Sequence, residues 1–254
     1  MTTDIENMFK DKVLGHPAGL FVLFFTEMWE RFSYYGMRAL LVMFFTASLL
    51  DGGWGWPREH AYAIFGTYTS LVYLSTLLGG YFADKKIGYR YAVAIGALLM
   101  TLGHGAMAIE TPFFIYLGLT LLVFGSGFFK PNITSIISGM YKGNDEKKDG
   151  AYTIFYMGVN AGAFLGILLC GYIGEQVGWR WGFGLAGIFM LFGLLQFWFA
   201  QEIFGDIGTK PLTIDVESSS ADSIEPKLNP FTNFQLTLIV IAGILGLSWI
   251  INDP

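Results

Sequence analysis

Glu27, Glu30, Arg31 and Arg38 lie in a single stretch otherwise built mainly from Leu, Phe, Val and Met. At about 100° per residue, with Glu27 at zero, Glu30 falls at about −60°, Arg31 at about +40°, Tyr34 at about −20° and Arg38 at about +20°. They form one polar stripe on one helical face, flanked by Tyr35. Glu27 and Arg31 are spaced i, i+4, so a carboxylate and a guanidinium can meet. Glu30 can compete for the same arginine. Two carboxylates sharing one cation away from water do not both ionise cheaply, so one should take up a proton near neutral pH. That is the chemistry of a proton relay. A second cation, Lys130, occurs in Phe124-Gly-Ser-Gly-Phe-Phe-Lys-Pro131, where Pro131 lacks an N–H and crowds the Gly127 carbonyl.

These charges need an apolar setting to matter, and the composition supplies it. The 254 residues are 54% hydrophobic and 14% charged, against about 25% charged in soluble domains. Apolar blocks approach the roughly 20 residues that cross a bilayer. Helices are expected at Gly19–Leu50, Ala61–Ala83, Tyr91–Ile109, Phe113–Met140, Tyr152–Ile173 and Gly182–Ala200, with a seventh at Phe231–Ile251. The short connections among the first six predict that sequential helices are antiparallel neighbours. Residues 1–18 read as a cytoplasmic tail without the features of a signal peptide. Residues 19–203 read as a six-helix bundle, 204–230 as a polar linker and 231–254 as an additional transmembrane helix.

Of the 15 basic residues, Lys10, Lys12, Lys85, Lys86, Arg90, Lys142, Lys147, Lys148, Lys210 and Lys227 fall on one side, and Arg58 and Arg180 on the other. This positive-inside bias puts the N-terminus and the linker in the cytoplasm. The remaining three, Arg31, Arg38 and Lys130, fall inside helices. A charge near the bilayer centre costs at least ~2.5–3.5 kcal/mol. A structural ion-pair network is one reading, with a snorkelling Lys130. Two unpaired cations favour the other, an anionic ligand group arriving from outside. Tyr34, Tyr35, Tyr73 and Asn160 could add hydrogen-bonding groups to the same cavity. Gly158, Gly162 and Gly166 form a close-packing face. His104 reads as a satisfied core histidine and the single cysteine, Cys170, as a packing residue. Neither a Ser/His pair nor a metal-ligand cluster stands out, so no enzyme, metal site or nucleic-acid partner is expected.

The motifs resemble those of the proton-dependent oligopeptide transporters of the major facilitator superfamily. Glu27-Met-Trp-Glu30-Arg31-Phe-Ser-Tyr34-Tyr35-Gly36 is similar to that family's first-helix motif. Gly79-Gly80-Tyr-Phe-Ala-Asp84-Lys-Lys-Ile-Gly88-Tyr-Arg90 resembles the superfamily loop between helices two and three. Phe128-Phe-Lys130-Pro131-Asn132 and Phe155-Tyr-Met-Gly158-Val-Asn160-Ala-Gly162-Ala-Phe164 resemble the fourth- and fifth-helix motifs.

The resemblance implies an all-α membrane protein, a six-helix major-facilitator N-terminal bundle plus one linker helix, with the second bundle absent. It implies proton-coupled symport of di- and tripeptides by alternating access across a bacterial plasma (inner) membrane, with protons as the coupling ion and no other cofactor. Glu27, Glu30 and Arg31 would couple protons, while Arg38 and Lys130 attract the peptide carboxylate. Tyr34, Tyr35, Tyr73 and Asn160 would line the pocket, and Asp84 and Arg90 belong to the gating-loop motif. The histidine that some animal relatives carry in helix two falls at Gly66. Transport of nitrate or another small anion is the alternative within transport, and a membrane scaffold subunit the alternative outside it.

Overall fold

The computed structural model describes residues 12–209. The predicted seventh helix, most of the linker and most of the N-terminal tail lie outside them. A two-residue antiparallel pair, β1 (Lys12–Val13) and β2 (His16–Pro17), turns through Leu14 and Gly15 and leads into the first helix. Six helices follow: α1 (Ala18–Thr46), α2 (Arg58–Phe82), α3 (Tyr89–Met107), α4 (Pro112–Met140), α5 (Asp145–Gln176) and α6 (Trp179–Phe199).

The boundaries follow local chemistry. Pro112 starts α4, where its missing N–H costs nothing. α5 begins seven residues before its expected start, and Glu146 falls in its first turn, where a carboxylate complements the helix dipole. A wide turn, Ala83–Ile87, ends α2. Gly88 then takes φ 80, and a Cβ there would stand 2.8 Å from the carbonyls of Gly208 and Thr209. Glycine is needed at this position for both reasons. α4 continues unbroken through Pro131.

Among the described residues, four helices are long and apolar enough to cross a membrane: Arg58–Ile87, Pro112–Met140, Glu146–Gln176 and Trp179–Phe199. α1 has the length, at 29 residues, but carries the four charges of the stripe. Large apolar side chains such as Leu77, Phe164, Leu168 and Phe199 are exposed along the helices, as lipid contact requires.

Packing bears out the expectation that sequential helices are neighbours for α3 with α4 and, less extensively, for α5 with α6, but not for the other sequential pairs. α1 packs chiefly on α5 and α6, α4 on α2 and α3, and α3 on α6. α1 touches α2 only briefly, and so does α4 with α5. A short loop limits the distance between helix ends but does not choose which faces meet. Replacing each helix by the one three further along maps the α1–α5, α1–α6, α2–α4, α3–α4 and α3–α6 pairs onto one another, as expected for two inverted three-helix repeats, while the α5–α6 contact has no comparable α2–α3 counterpart.

Glycine decides the closest contacts. Gly158, Gly162 and Gly166 of α5 lie against the carbonyl oxygens of Phe24, Met28 and Phe32 of α1, one α1 turn per glycine. Gly79 of α2 and Gly127 of α4 meet in the same manner. The Gly127 carbonyl, relieved of its helical partner by Pro131, sits in that crossing. Asn132 secures it by donating from Nδ2 to the Phe128 carbonyl at 2.7 Å and the Gly79 carbonyl at 3.4 Å.

His104 is buried between α3 and α6, with Gly187 against its Cβ, but Nδ1 has no hydrogen-bond partner among the described residues. The expected core histidine is therefore buried, but its Nδ1 is not satisfied among the described residues. Cys170 is buried against Gly36 and serves packing.

Candidate functional site: a charged cluster on α1, α2 and α4

The i, i+4 spacing on α1 produces the expected pair: Arg31 Nε lies 2.9 Å from Glu27 Oε1. Glu30 Oε2 contacts the same Nε. All three are buried, Glu30 completely. Among the described residues these are the ion pairs within 4 Å, and both belong to Arg31. Glu27 Oε2 and Glu30 Oε1 are buried without hydrogen-bond partners.

Aromatic rings hold the cations. The Arg31 guanidinium stands 5.3 Å from the Tyr34 ring centre and 6.0 Å from that of Tyr35. Lys130 of α4 reaches across, its Nζ 4.3 Å from the Tyr34 ring and 5.9 Å from that of Tyr73 on α2. Tyr34 and Tyr35 pack edge to face with centroids 5.3 Å apart. Arg38 lies over Phe65 of α2 at 4.9 Å. Neither Arg38 nor Lys130 pairs with a carboxylate within 4 Å among the described residues, though Glu27, Glu30, Arg31 and Arg38 all act electrostatically on Lys130.

The structure thus brings together Glu27, Glu30, Arg31, Tyr34, Tyr35, Tyr73 and Lys130, with Arg38 held at Phe65 beside them. The cluster is buried at the triad and opens at Tyr73, which is 68% exposed. Asn160 is not joined to it: it is exposed on α5, away from the glycine ridge, and hydrogen-bonds to none of these residues.

Asp84 and Arg90 do not pair with each other among the described residues. Asp84 sits in the Ala83–Ile87 turn and hydrogen-bonds Tyr89. Arg90 is buried and donates from Nη1 to the Gly205 carbonyl at 2.5 Å and from Nη2 to that of Gln201. Its backbone N–H bonds the Gly208 carbonyl at 3.0 Å. Arg90 therefore clamps the segment after α6 to the start of α3.

Sequence reasoning missed Tyr68. It is 3% exposed, its hydroxyl has no hydrogen-bond partner among the described residues, and it acts electrostatically with Tyr34, Glu30, Arg38 and Arg31. Five residues before Tyr73, it points about 140° away on the same helix. Periodicity within α2 alone gave no reason to place both near α1.

The POT family model matches residues 90–219. The chain belongs to the POT family. It is 45% identical over 186 residues to the peptide transporter YePEPT of Yersinia enterocolitica, covering 72% of this chain and 36% of that protein. It is 38% identical over 238 residues to the di-/tripeptide transporter of Lactococcus lactis, covering 91% of this chain and 46% of that one. A crystal structure of a POT peptide transporter in complex with alafosfalin is 37% identical with a TM-score of 0.79, and covers 100% of this chain and 50% of that chain. The chain therefore spans about half the length, or less, of these relatives. Six helices with these POT neighbours make it an all-α membrane protein of the major-facilitator type.

Proposed function

We propose that this chain supplies the N-terminal bundle of a proton-coupled symporter of di- and tripeptides, working by alternating access against a second bundle. It sits in the bacterial plasma (inner) membrane with its N-terminus in the cytoplasm, as the ten-to-two distribution of basic residues indicates. Its partners are small peptides, lipid and the second bundle; protons are the coupling ion.

The observation that carries this reading is the state of Arg38 and Lys130, two cations resting on aromatic rings rather than on carboxylates. A cation–π contact contributes about 0.5–2 kcal/mol. A charge-assisted hydrogen bond contributes roughly 1.5–3 kcal/mol. A peptide carboxylate therefore competes well for either group without first breaking an ion pair. Tyr34 and Tyr73, already under Lys130, are placed to bond the same ligand, and Tyr35 and the exposed Asn160 would add hydrogen-bonding groups.

Glu27, Glu30 and Arg31 provide the coupling. With both acids ionised the triad carries one negative charge in excess; one bound proton makes it neutral. Proton load therefore changes the net charge beside Lys130, and with it the attraction for an anionic ligand. Asp84 lies in the cytoplasmic turn between α2 and α3, and Arg90 ties the start of α3 to the segment after α6, so the two would hold the cytoplasmic ends of these helices together.

A peptide and an inorganic anion would use Arg38 and Lys130 alike, so the test varies the carboxylate on a peptide. In the whole transporter, amidating a dipeptide's C-terminus should weaken competition for uptake by roughly 10- to 100-fold. Lys130→Ala and Arg38→Ala should narrow the difference between acid and amide. Equal competition by acid and amide in the wild type, or uptake of nitrate unaffected by excess dipeptide, overturns the peptide assignment.

A further inference from the structure

Two buried polar groups on neighbouring helices each lack a hydrogen-bond partner among the described residues. One is Glu30 Oε1 on α1, the other the Tyr68 hydroxyl on α2. A buried carboxyl oxygen or hydroxyl that gives up water without a replacement is costly, and such groups call for an explanation. Tyr68 lies within electrostatic reach of Glu30 and Tyr34. One turn earlier on α2, Phe65 carries the Arg38 guanidinium, so this part of α2 already meets the charged face of α1.

The other side of Tyr68 forms part of the wall of a cavity of about 410 Å³ shared with Leu71, Leu119 and Val123. The ring has room to shift. α1 and α2 touch only briefly, unlike α1 and α5, so a small change in their separation disturbs little packing.

We propose that Tyr68 is a positioning residue of the proton-coupling site: its hydroxyl hydrogen-bonds the Glu30 carboxyl group once that group is protonated and Arg31 is released. In the arrangement seen here Glu30 is engaged by Arg31 and the Tyr68 hydroxyl is free. Protonation removes the charge that holds Glu30 to Arg31 and leaves a neutral acid able both to donate and to accept. The Tyr68 hydroxyl is complementary to it. The contact draws α2 toward α1 in the proton-loaded state, which converts occupancy of the triad into helix position. The charged and titratable groups around Tyr68 are Glu30, Arg31, Tyr34 and Arg38 from α1, with Tyr116 of α4 and His60 of α2 lining the same cavity. This inference rests on the coupling role proposed for the triad.

Tyr68→Phe removes only the hydroxyl and keeps the ring. In liposomes bearing the whole transporter, it should move the midpoint of gradient-driven dipeptide uptake to more acidic pH by about half to one unit, the loss of one hydrogen bond to the protonated form. Counterflow exchange, which needs no net proton movement, should stay within about twofold of wild type. An unchanged midpoint, or an equal loss in uptake and exchange, overturns the proposal. Infrared difference spectra provide a readout that does not depend on transport. The acid-induced carboxyl band that disappears in Glu30→Gln should shift to higher wavenumber in Tyr68→Phe, and an unshifted band counts against the contact. If the wild type takes up dipeptide without regard to the proton gradient, the coupling role of the triad fails first and this inference with it.

Discussion

Adding one methyl group at Gly162 should disturb both the stability of the bundle and its charged site. A Cβ at Gly158 would stand 2.9 Å from the Phe24 carbonyl oxygen. Ordinary contacts begin at 3.4 Å, so α1 and α5 would have to separate by about 0.5 Å there, the difference of the two distances. At Gly162 the approach to the Met28 carbonyl is closer still, and the new atom would also stand 3.0 Å from Arg31 Cβ. Overpacking of this kind costs typically ~1–3 kcal/mol. Gly171 of the same helix has nothing within 4 Å of its would-be Cβ. Alanine there should gain about 0.8–1.0 kcal/mol of helix propensity instead. Gly162→Ala and Gly171→Ala should therefore differ by roughly 2–4 kcal/mol in denaturant titrations of the purified whole transporter. Because the Gly162 clash bears on Arg31, gradient-driven uptake should fall more than counterflow exchange. Equal stability of the two variants would mean that α1 and α5 are not in the contact described.

Glu27→Gln and Glu30→Gln keep size and hydrogen bonding but cannot ionise; both should lose accumulation down a proton gradient while retaining some counterflow, and unchanged accumulation in both rules the triad out as the relay. Arg90→Lys keeps the charge but not the two-pronged donation to Gly205 and Gln201, so limited proteolysis should cut after α6 sooner than in wild type, and an unchanged digestion pattern counts against the clamp. Just before α1, His16 Nδ1 lies 2.7 Å from the Tyr141 hydroxyl. Partial burial and the Lys147 ammonium lower the His16 pKa, so its contribution is fully present above the unfolded value of about 6.5 and is lost as pH falls through the folded value. The difference in unfolding midpoint between wild type and His16→Ala should shrink from pH 8 toward pH 5, and a constant difference refutes this.

Legibility in the sequence was greatest where a property belongs to one helix. Glu27, Glu30, Arg31 and Tyr34 share a face because of their spacing, and the geometry on α1 follows that spacing. The six apolar blocks located the helices to within a few residues, except where α5 runs on through charged residues that stand outside the apolar pattern. Gly158, Gly162 and Gly166 declared a contact face but not its partner, because a stripe of missing side chains fits any backbone that comes near. Pairing between helices was correspondingly hard to read. That α1 lies against α5 and α6, that Arg90 reaches carbonyls more than a hundred residues away, and that Tyr68 faces Glu30's helix are all long-range facts without a local pattern. Asn160 shows the converse. Its motif and its direction off the glycine ridge both pointed to the cavity, yet it is exposed on α5 and hydrogen-bonds none of the cluster among the described residues.

The two sides of α1 differ in how much they can yield. On one side its carbonyls at Phe24, Met28 and Phe32 rest directly on α5 glycines, and the Glu27 and Arg31 positions lie between those contacts. Any separation there opens a gap along three turns at once, so α1 and α5 move together. On the other side α2 meets α1 through a few aromatic and cationic groups, Phe65 with Arg38 and Tyr68 near Tyr34. Cation–π contacts of this kind contribute about 0.5–2 kcal/mol each and tolerate a change of distance better than close-packed backbone does. A change of charge at the triad therefore acts against a stiff wall and a compliant one. Displacement should appear on the α2 side, which also carries Tyr73, one of the two rings beneath Lys130. On the proposed function, a proton bound at Glu30 and a carboxylate bound at Lys130 would in this way be linked through the position of one helix, without any direct contact between the two ligands.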